Sequence, residues 1–283
     1  MLLRRLCLLA ILPTQLVAQE RLRSEYLTSA SLGRQVRFQV LLPAAYDSST
    51  PYPVLWLLHG YGGSDSSWVA LTHLERHAAR YPMIIVMPAV QHSFYVNSPV
   101  TPNAEYETFI EQELHAAVVT RFAVDTTREA IAGVSMGGYG AAMLALRYPA
   151  RYRFAGLMIP AISVPDSLQK ADTAFAYWAI PALDTAFGPA PSAHRATHDP
   201  FLLLHTAQPT ALPYFYVTVA QADPFPSFLP YTRKWVEALR RLGVPYEYHE
   251  MPGGHDEAAV DAALPNLLKR CWVELTTLRH GAT

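Results

Sequence analysis

The sequence predicts an α/β fold with one mostly parallel sheet covered by helices on both faces. Three observations point to it: strand-like and helix-like stretches alternate along the chain, two of the strand-like runs are apolar without interruption, and a strand breaks sharply into a helix around Gly133-x-Ser135-x-Gly137. Alternation of this kind is the pattern of parallel strands joined by crossover helices. Continuous apolar runs suit strands that are buried on both faces.

The 283 residues fit one large α/β domain, and 51% of them are hydrophobic, enough for a sizeable core. A formal net charge of −1 leaves no basic field for nucleic acid, which is set aside as a partner. Residues 1–18 carry Arg4 and Arg5, then the apolar Leu6 to Leu12, then Leu16-Val17-Ala18. This reads as a secretory signal cut after Ala18, with a cut after Gln19 or nearby left open, and a secreted or periplasmic location is expected. The apolar run is too short to span a bilayer, and no other segment reads as a membrane span. Residues 19–283 then form a single domain, whose one cysteine, Cys271, has no partner for an intramolecular disulfide once Cys7 departs with the signal.

Glu25 to Ser31 and Gln35 to Leu42 form a hairpin turning at Leu32-Gly33-Arg34, with Val36, Phe38 and Val40 alternating inward. Pro53 to Leu58 and Met83 to Met87 are the two buried strands, separated by a helix over Ser64 to Arg80 that Ser64 or Asp65 would cap. Gln91 to Asn103 has no periodicity and is a loop. Ala104 to Phe122 is a long helix with Tyr106, Phe109, Ile110, Leu114, Ala117 and Val118 on its apolar face. Glu129 to Val134 is a strand and Gly138 to Tyr148 a helix. Further strands fall at Phe154 to Ile159, Pro213 to Ala220 and Tyr246 to Met251, with a helix over Phe228 to Leu242. Between them, residues 160–200 break the rhythm, mixing Phe175, Tyr177, Trp178 and Phe187 with prolines. This stretch is an insertion beside the site, either a lid over substrate or a stabilising excursion.

Gly133-x-Ser135-x-Gly137 has the spacing of a nucleophile elbow, a strand-to-helix turn that exposes a serine and has no room for side chains beside it. A serine hydroxyl attacks only when a base removes its proton and an acid orients that base. In the chain order associated with this elbow, the acid and then the base follow the nucleophile, on loops after late strands. Asp223 follows the strand ending at Ala220, and His255 follows the strand ending at Met251, both at carboxyl ends where open α/β sheets place their ligands. Asp256 and Asp199 remain alternative acids, and Asp223 could instead cap the Phe228 to Leu242 helix. His194, His198 and His205 precede the acid strand, and His249 lies within the last strand. The oxyanion of the transition state needs backbone donors, for which Met136 N–H and Tyr61 N–H are the candidates. Tyr61 lies in the Gly-rich loop His59-Gly60-Tyr61-Gly62-Gly63, which lacks P-loop spacing, and His59 itself reads as structural. His194 and His198 stand four apart without a glutamate between them, so no metal site is expected.

The run Leu57 to Gly63, the elbow Ala132 to Gly138, the Asp223 turn and Gly253-Gly254-His255 together resemble the esterase D and feruloyl esterase branch of the α/β-hydrolase superfamily. That branch includes tributyrin-type esterases, S-formylglutathione hydrolases, siderophore esterases and antigen 85 mycolyltransferases. The resemblance runs from about Ser24 to Trp272. It departs at Asp256 and Glu257, where many members carry an aromatic residue after the histidine. It implies the α/β-hydrolase fold, no cofactor, and cleavage of carboxylic or thiol esters through an acyl-enzyme, with Ser135 as nucleophile, His255 as base and Asp223 as its acid. The expected substrate is a small or carbohydrate-linked ester. Acyl transfer to an alcohol by the same residues, peptide cleavage, and a non-catalytic binding role on the same scaffold are the alternatives.

Overall fold

The computed structural model describes residues 21–164 and 181–277. The expected signal with Cys7, and Phe175, Tyr177 and Trp178 of the expected insertion, lie outside the described residues. Eight strands form one sheet: β1 (Leu22–Ser29), β2 (Arg34–Leu41), β3 (Tyr52–Leu58), β4 (Ile84–Pro88), β5 (Val124–Val134), β6 (Tyr152–Met158), β7 (Tyr214–Ala220) and β8 (Tyr246–Met251). Their order is β1-β2-β4-β3-β5-β6-β7-β8. The β1–β2 hairpin and the β2–β4 pair are antiparallel, and every pair from β4 to β8 is parallel.

Every residue of β3 and β4 is buried, as continuous apolar runs between two helical layers require. The exposed edge, β8, is half-buried and carries Glu247, His249 and Glu250, charged or polar side chains that discourage further strand pairing.

Register decides where the loops emerge. Leu58 pairs with Gly133 and Gly133 with Leu157, so β3, β5 and β6 end level with one another. Ala220 pairs with Met251, so β7 and β8 also end together. The His59 loop, Ser135, Asp223 and His255 therefore all emerge at the carboxyl ends of parallel strands.

The single helix expected over Ser64 to Arg80 is instead two, α1 (Ser67–Leu71) and α2 (Leu74–Ala78). Thr72 between them is extended, its hydroxyl turned back to the Trp68 carbonyl. The N–H of His73 is taken by Asp261 Oδ1 at 2.7 Å, so a distant carboxylate replaces a rung of the helical ladder. Neither expected cap serves as one. Ser66 holds the cap position without a side-chain bond, while Asp65 is buried in a bidentate pair with Arg37 at 2.7 and 3.0 Å.

The long helix after the 91–103 loop is one run: α3 (Tyr106–Thr108), a π-helical segment (Phe109–Leu114) and α4 (His115–Arg121). Its apolar face is buried as expected, apart from Ala117, which is partly exposed. Its glutamates are the surprise. Glu107 accepts from Arg147 Nε at 2.7 Å and Tyr148 Oη at 2.8 Å, and Glu111 accepts from Arg151 and Tyr152. On β5, Glu129 accepts from Trp56 Nε1 at 2.8 Å and lies 2.9 Å from His115 Nε2. Buried carboxylates are tolerated because each finds such partners, and no apolar periodicity reports those partners in advance.

Helix α5 (Met136–Arg147) is buried along all but its last residue. Within 160–200, the described residues 181–200 bury Leu183, Ala186, Phe187, Arg195 and His198 while leaving other positions exposed. Residues 181–187 are helical, and α6 (Ala193–Ala196) brings the fully buried Arg195 onto the Gly188 carbonyl at 2.9 Å and onto Asp184. Phe187 packs at a tilt against Phe94 and edge to face against Tyr139, with ring centroids 5.7 and 5.9 Å apart. Helix α7 (Pro200–Thr206) follows, then α8 (Phe228–Leu242) and α9 (Glu257–Thr276). Cys271 is fully buried on α9, and burial pushes its thiol pKa up.

Candidate active site

Ser135 sits between β5 and α5 with φ +56° and ψ −115°, a conformation that side chains other than glycine rarely adopt. Three backbone bonds hold it there. Its N–H donates to Met158 O at 2.9 Å, and its carbonyl accepts from Tyr139 N and Ala161 N, both at 3.0 Å. The flanking glycines are required by close approach. A Cβ at Gly133 would lie 2.4 Å from Gly137 O, and one at Gly137 would lie 2.4 Å from Leu58 O. The local sequence thus folds into an elbow because any larger residue would force β5, α5 and β3 apart.

Ser135 lines an open cleft of about 360 Å³ together with His255, Tyr61, Trp68 and Val260. His255 Nδ1 lies 3.0 Å from Asp223 Oδ2. The other oxygen of that carboxylate, Oδ1, accepts the Phe225 N–H at 2.9 Å, so the loop's own backbone fixes the acid. A carboxylate facing Nδ1 favours the tautomer protonated there, which leaves Nε2 able to accept a proton. The rings of Phe225 and Phe228 meet the imidazole edge to face at 5.2 and 5.1 Å and hold its plane. Among the described residues, the Ser135 hydroxyl makes no hydrogen bond. Such contacts are commonly long in ligand-free sites and tighten when substrate enters.

The rival residues are engaged elsewhere. Asp256 caps α9, accepting Ala259 N–H at 2.8 Å. Asp199 caps α7, accepting Phe201 N–H at 2.8 Å. Helix α8 begins after Ser227, so Asp223 is not its cap. His249 is exposed beside Glu247 at 2.6 Å. His198 is buried, and a glutamate does approach it: Glu107, 3.5 Å from Nε2, comes from a helix that lies far upstream in sequence.

The His59 to Gly63 loop runs beside the elbow, where a Cβ on Gly60 would lie 3.5 Å from Ser135 Cβ. His59 is buried and structural. Its Nε2 accepts Val90 N–H at 3.2 Å, its Nδ1 lies 2.8 Å from Gly60 O, and burial lowers its pKa. Tyr95, held at φ +62°, donates its hydroxyl to His59 O at 2.7 Å. The same ring fills the space over Gly140, where a Cβ would lie 2.5 Å from Tyr95 Cδ2, and so clamps the loop to α5. Tyr61 stacks on His92 at 4.2 Å. The N–H of Met136 belongs to the first turn of α5, where backbone donors lack intrahelical acceptors.

Sequence reasoning missed Tyr95, Phe225 and Phe228. Phe225 was visible within the Asp223 turn, whereas Tyr95 acts through a contact that only the fold creates. Together these groups bring a serine at an elbow, an imidazole paired with a carboxylate and a Gly-rich loop to one cleft.

The chain matches the Esterase family model, described as "Putative esterase", over residues 29–271. Esterase Rv1288 of Mycobacterium tuberculosis is 31% identical over 253 residues, covering 80% of this chain and 54% of the relative. The chain thus spans about half the length of the curated relatives it matches. Among solved structures, the fluorophosphonate-binding serine hydrolase FphF of Staphylococcus aureus superposes with TM-score 0.77 at 24% identity, over 89% of this chain and 98% of that one. The S-formylglutathione hydrolase FrmB of the same organism gives TM-score 0.71 at 25% identity, again over 89% and 98%. The fold is that of the α/β-hydrolases, as the sequence resemblance implied.

Proposed function

The chain belongs to the Esterase family, and from that premise we propose that it is a serine carboxylic-ester hydrolase working through an acyl-enzyme on small or carbohydrate-linked esters. The observation that carries this reading is the Asp223–His255 pair, at 3.0 Å, opening onto the cleft that Ser135 lines from its elbow. In the proposed reaction Ser135 Oγ attacks the ester carbonyl while His255 Nε2 takes its proton. The tetrahedral oxyanion is stabilised by Met136 N–H and Tyr61 N–H. His255 then protonates the departing alcohol, and the acyl-enzyme forms. Water, deprotonated by the same imidazole, attacks that acyl group, and the proton returns to Ser135 as the carboxylic acid leaves. Asp223 holds the imidazole in the required tautomer and stabilises its charged form.

The test is a panel of nitrophenyl, acetyl-sugar and feruloyl esters run with the wild type and Ser135→Ala, beside labelling with a fluorophosphonate probe. Turnover and labelling in the wild type, both lost in Ser135→Ala, are expected. Full turnover by the variant would defeat the mechanism, and failure of the wild type to label would favour a binding role. Adding an alcohol acceptor during turnover separates hydrolysis from acyl transfer.

We further propose a secreted or periplasmic location, supported by the composition of residues 1–18. Amino-terminal sequencing of the exported protein tests it, and recovery of the chain intact in the cytosol would refute it.

A further inference from the structure

Outside the proposed catalytic residues, two imidazoles and a carboxylate converge next in sequence to Thr72 and Val260 of the cleft lining. His73 immediately precedes α2, and His77 stands one helical turn along it, the i, i+4 spacing that places two side chains on one face. Asp261 reaches them from the second turn of α9. His73 Nδ1 lies 2.6 Å from Asp261 Oδ2, and His77 Nε2 lies 3.2 Å from Asp261 Oδ1. One atom from each of the three side chains falls within 4.8 Å of the others.

Tying α9 to the start of α2 requires only the bond from His73 N–H to Asp261 Oδ1, at 2.7 Å. Two ring nitrogens aimed at the same carboxylate go beyond that requirement. We propose that His73, His77 and Asp261 form a structural binding site for a divalent transition cation of the zinc type.

The dimensions and the donors both fit. Bond lengths of about 2.0–2.2 Å in a tetrahedral zinc site put ligand atoms roughly 3.4 Å apart. His77 Nε2 lies 3.2 Å from Asp261 Oδ1 and His73 Nδ1 lies 2.6 Å from Asp261 Oδ2, and one atom from each of the three side chains lies within 4.8 Å of the others, so side-chain rotation that brings both rings to one carboxylate oxygen closes the set. Two imidazoles and one carboxylate are borderline donors that select zinc, cobalt or nickel over magnesium or calcium. Water completes the fourth position. Each neutral ring moves its proton from the coordinating nitrogen to its other nitrogen, so the exchange balances without loss of a proton.

The consequence is mechanical. Thr72 and Val260, the chain neighbours of His73 and Asp261, both line the cleft. A cation bound at this site cross-links α2 to α9 across residues 184 or more apart in sequence and fixes the part of the cleft lining that these two helices carry. No step of the proposed ester chemistry passes through it.

Full-length mature protein is freed of metal with a chelator, then titrated with zinc chloride by calorimetry and followed by thermal unfolding. One equivalent is expected to bind, and zinc at about a hundred times its Kd should raise Tm by roughly 5 °C. Magnesium should do neither. The His73→Ala/His77→Ala double variant removes one exposed ring and one largely buried ring and keeps the backbone bond from residue 73 to Asp261. Its affinity should fall by more than the 10–100-fold that loss of a supporting outer partner costs. X-ray absorption at the zinc edge should report two imidazoles in the bound protein, a readout independent of how any variant folds. Zinc binding that is absent, that survives unchanged in the double variant, or that shows no imidazole in its coordination shell would overturn the site. Hydrolysis that disappears on chelation and returns with zinc would overturn its structural role.

Discussion

Replacing Asp223 by asparagine tests the proposed acid–base pair with little change of shape. The carboxylate is buried, with only 2% of its side chain exposed, and is held by two contacts: Phe225 N–H at 2.9 Å on Oδ1 and His255 Nδ1 at 3.0 Å on Oδ2. Asparagine keeps its oxygen on the Phe225 N–H and thereby turns its amide NH₂ toward His255. The imidazole must then accept at Nδ1, so its proton moves to Nε2. That nitrogen can no longer take the proton of Ser135. In serine hydrolases with this arrangement, the wrong tautomer costs about 10⁴ in kcat, equivalent to about 5 kcal/mol of barrier. The Tm should barely move, because the buried volume and the Phe225 bond are preserved. The assay is steady-state hydrolysis of a nitrophenyl ester together with the rate of fluorophosphonate labelling, both of which should fall. Asp256→Asn and Asp199→Asn serve as controls. Each keeps an oxygen at its helix cap, where asparagine serves as well as aspartate, and should leave stability and turnover close to those of the wild type. Turnover by Asp223→Asn within tenfold of the wild type, or a larger loss in either control, would refute the assignment.

Other outcomes follow from the packing and from one shifted pKa. Gly140→Ala would set a Cβ 2.5 Å from the ring of Tyr95, which is buried and anchored by its hydroxyl. A loss of about 1–3 kcal/mol in urea unfolding is expected, and wild-type stability would show that the ring can retreat. Tyr95→Phe removes the donor from His59 O and should cost about 1–2 kcal/mol by the same measurement; no change would mean that the clamp on the loop lies elsewhere. Burial raises the Glu111 carboxyl from 4.5 to about 7, with Arg151 and Tyr152 opposing the shift. Between about pH 4.5 and 7 the folded protein then holds a proton that the unfolded chain has released. Stability therefore falls as pH rises through that window, by on the order of 3 kcal/mol for Glu111 alone. Thermal unfolding from pH 4.5 to 8 should show this slope, and Glu111→Gln, which cannot ionise, should flatten it. An unchanged slope in the variant would place the titration on another group.

The sequence alone determined the features written in short-range pattern. Continuous apolar runs at Val54 to Leu58 and Ile84 to Met87 marked strands with two covered faces. The glycines around Ser135 marked the elbow, because their exclusion of a Cβ is local in sequence. Asp223 and His255 were legible because each directly follows a strand whose end the apolar pattern reveals. Tertiary structure decided what depends on approach between distant segments. It showed that Asp223 meets His255 while Asp256 and Asp199 are spent on caps. It broke the 64–80 helix at His73 by delivering Asp261 there, and it set Tyr95 into the space that Gly140 leaves open. It also buried Glu107 and Glu111 on the helix whose other face was read as apolar, and Glu129 on β5. The physical reason is one of range: burial periodicity and steric exclusion act between near neighbours along the chain, whereas a carboxylate's partner is chosen by whichever element folds against it.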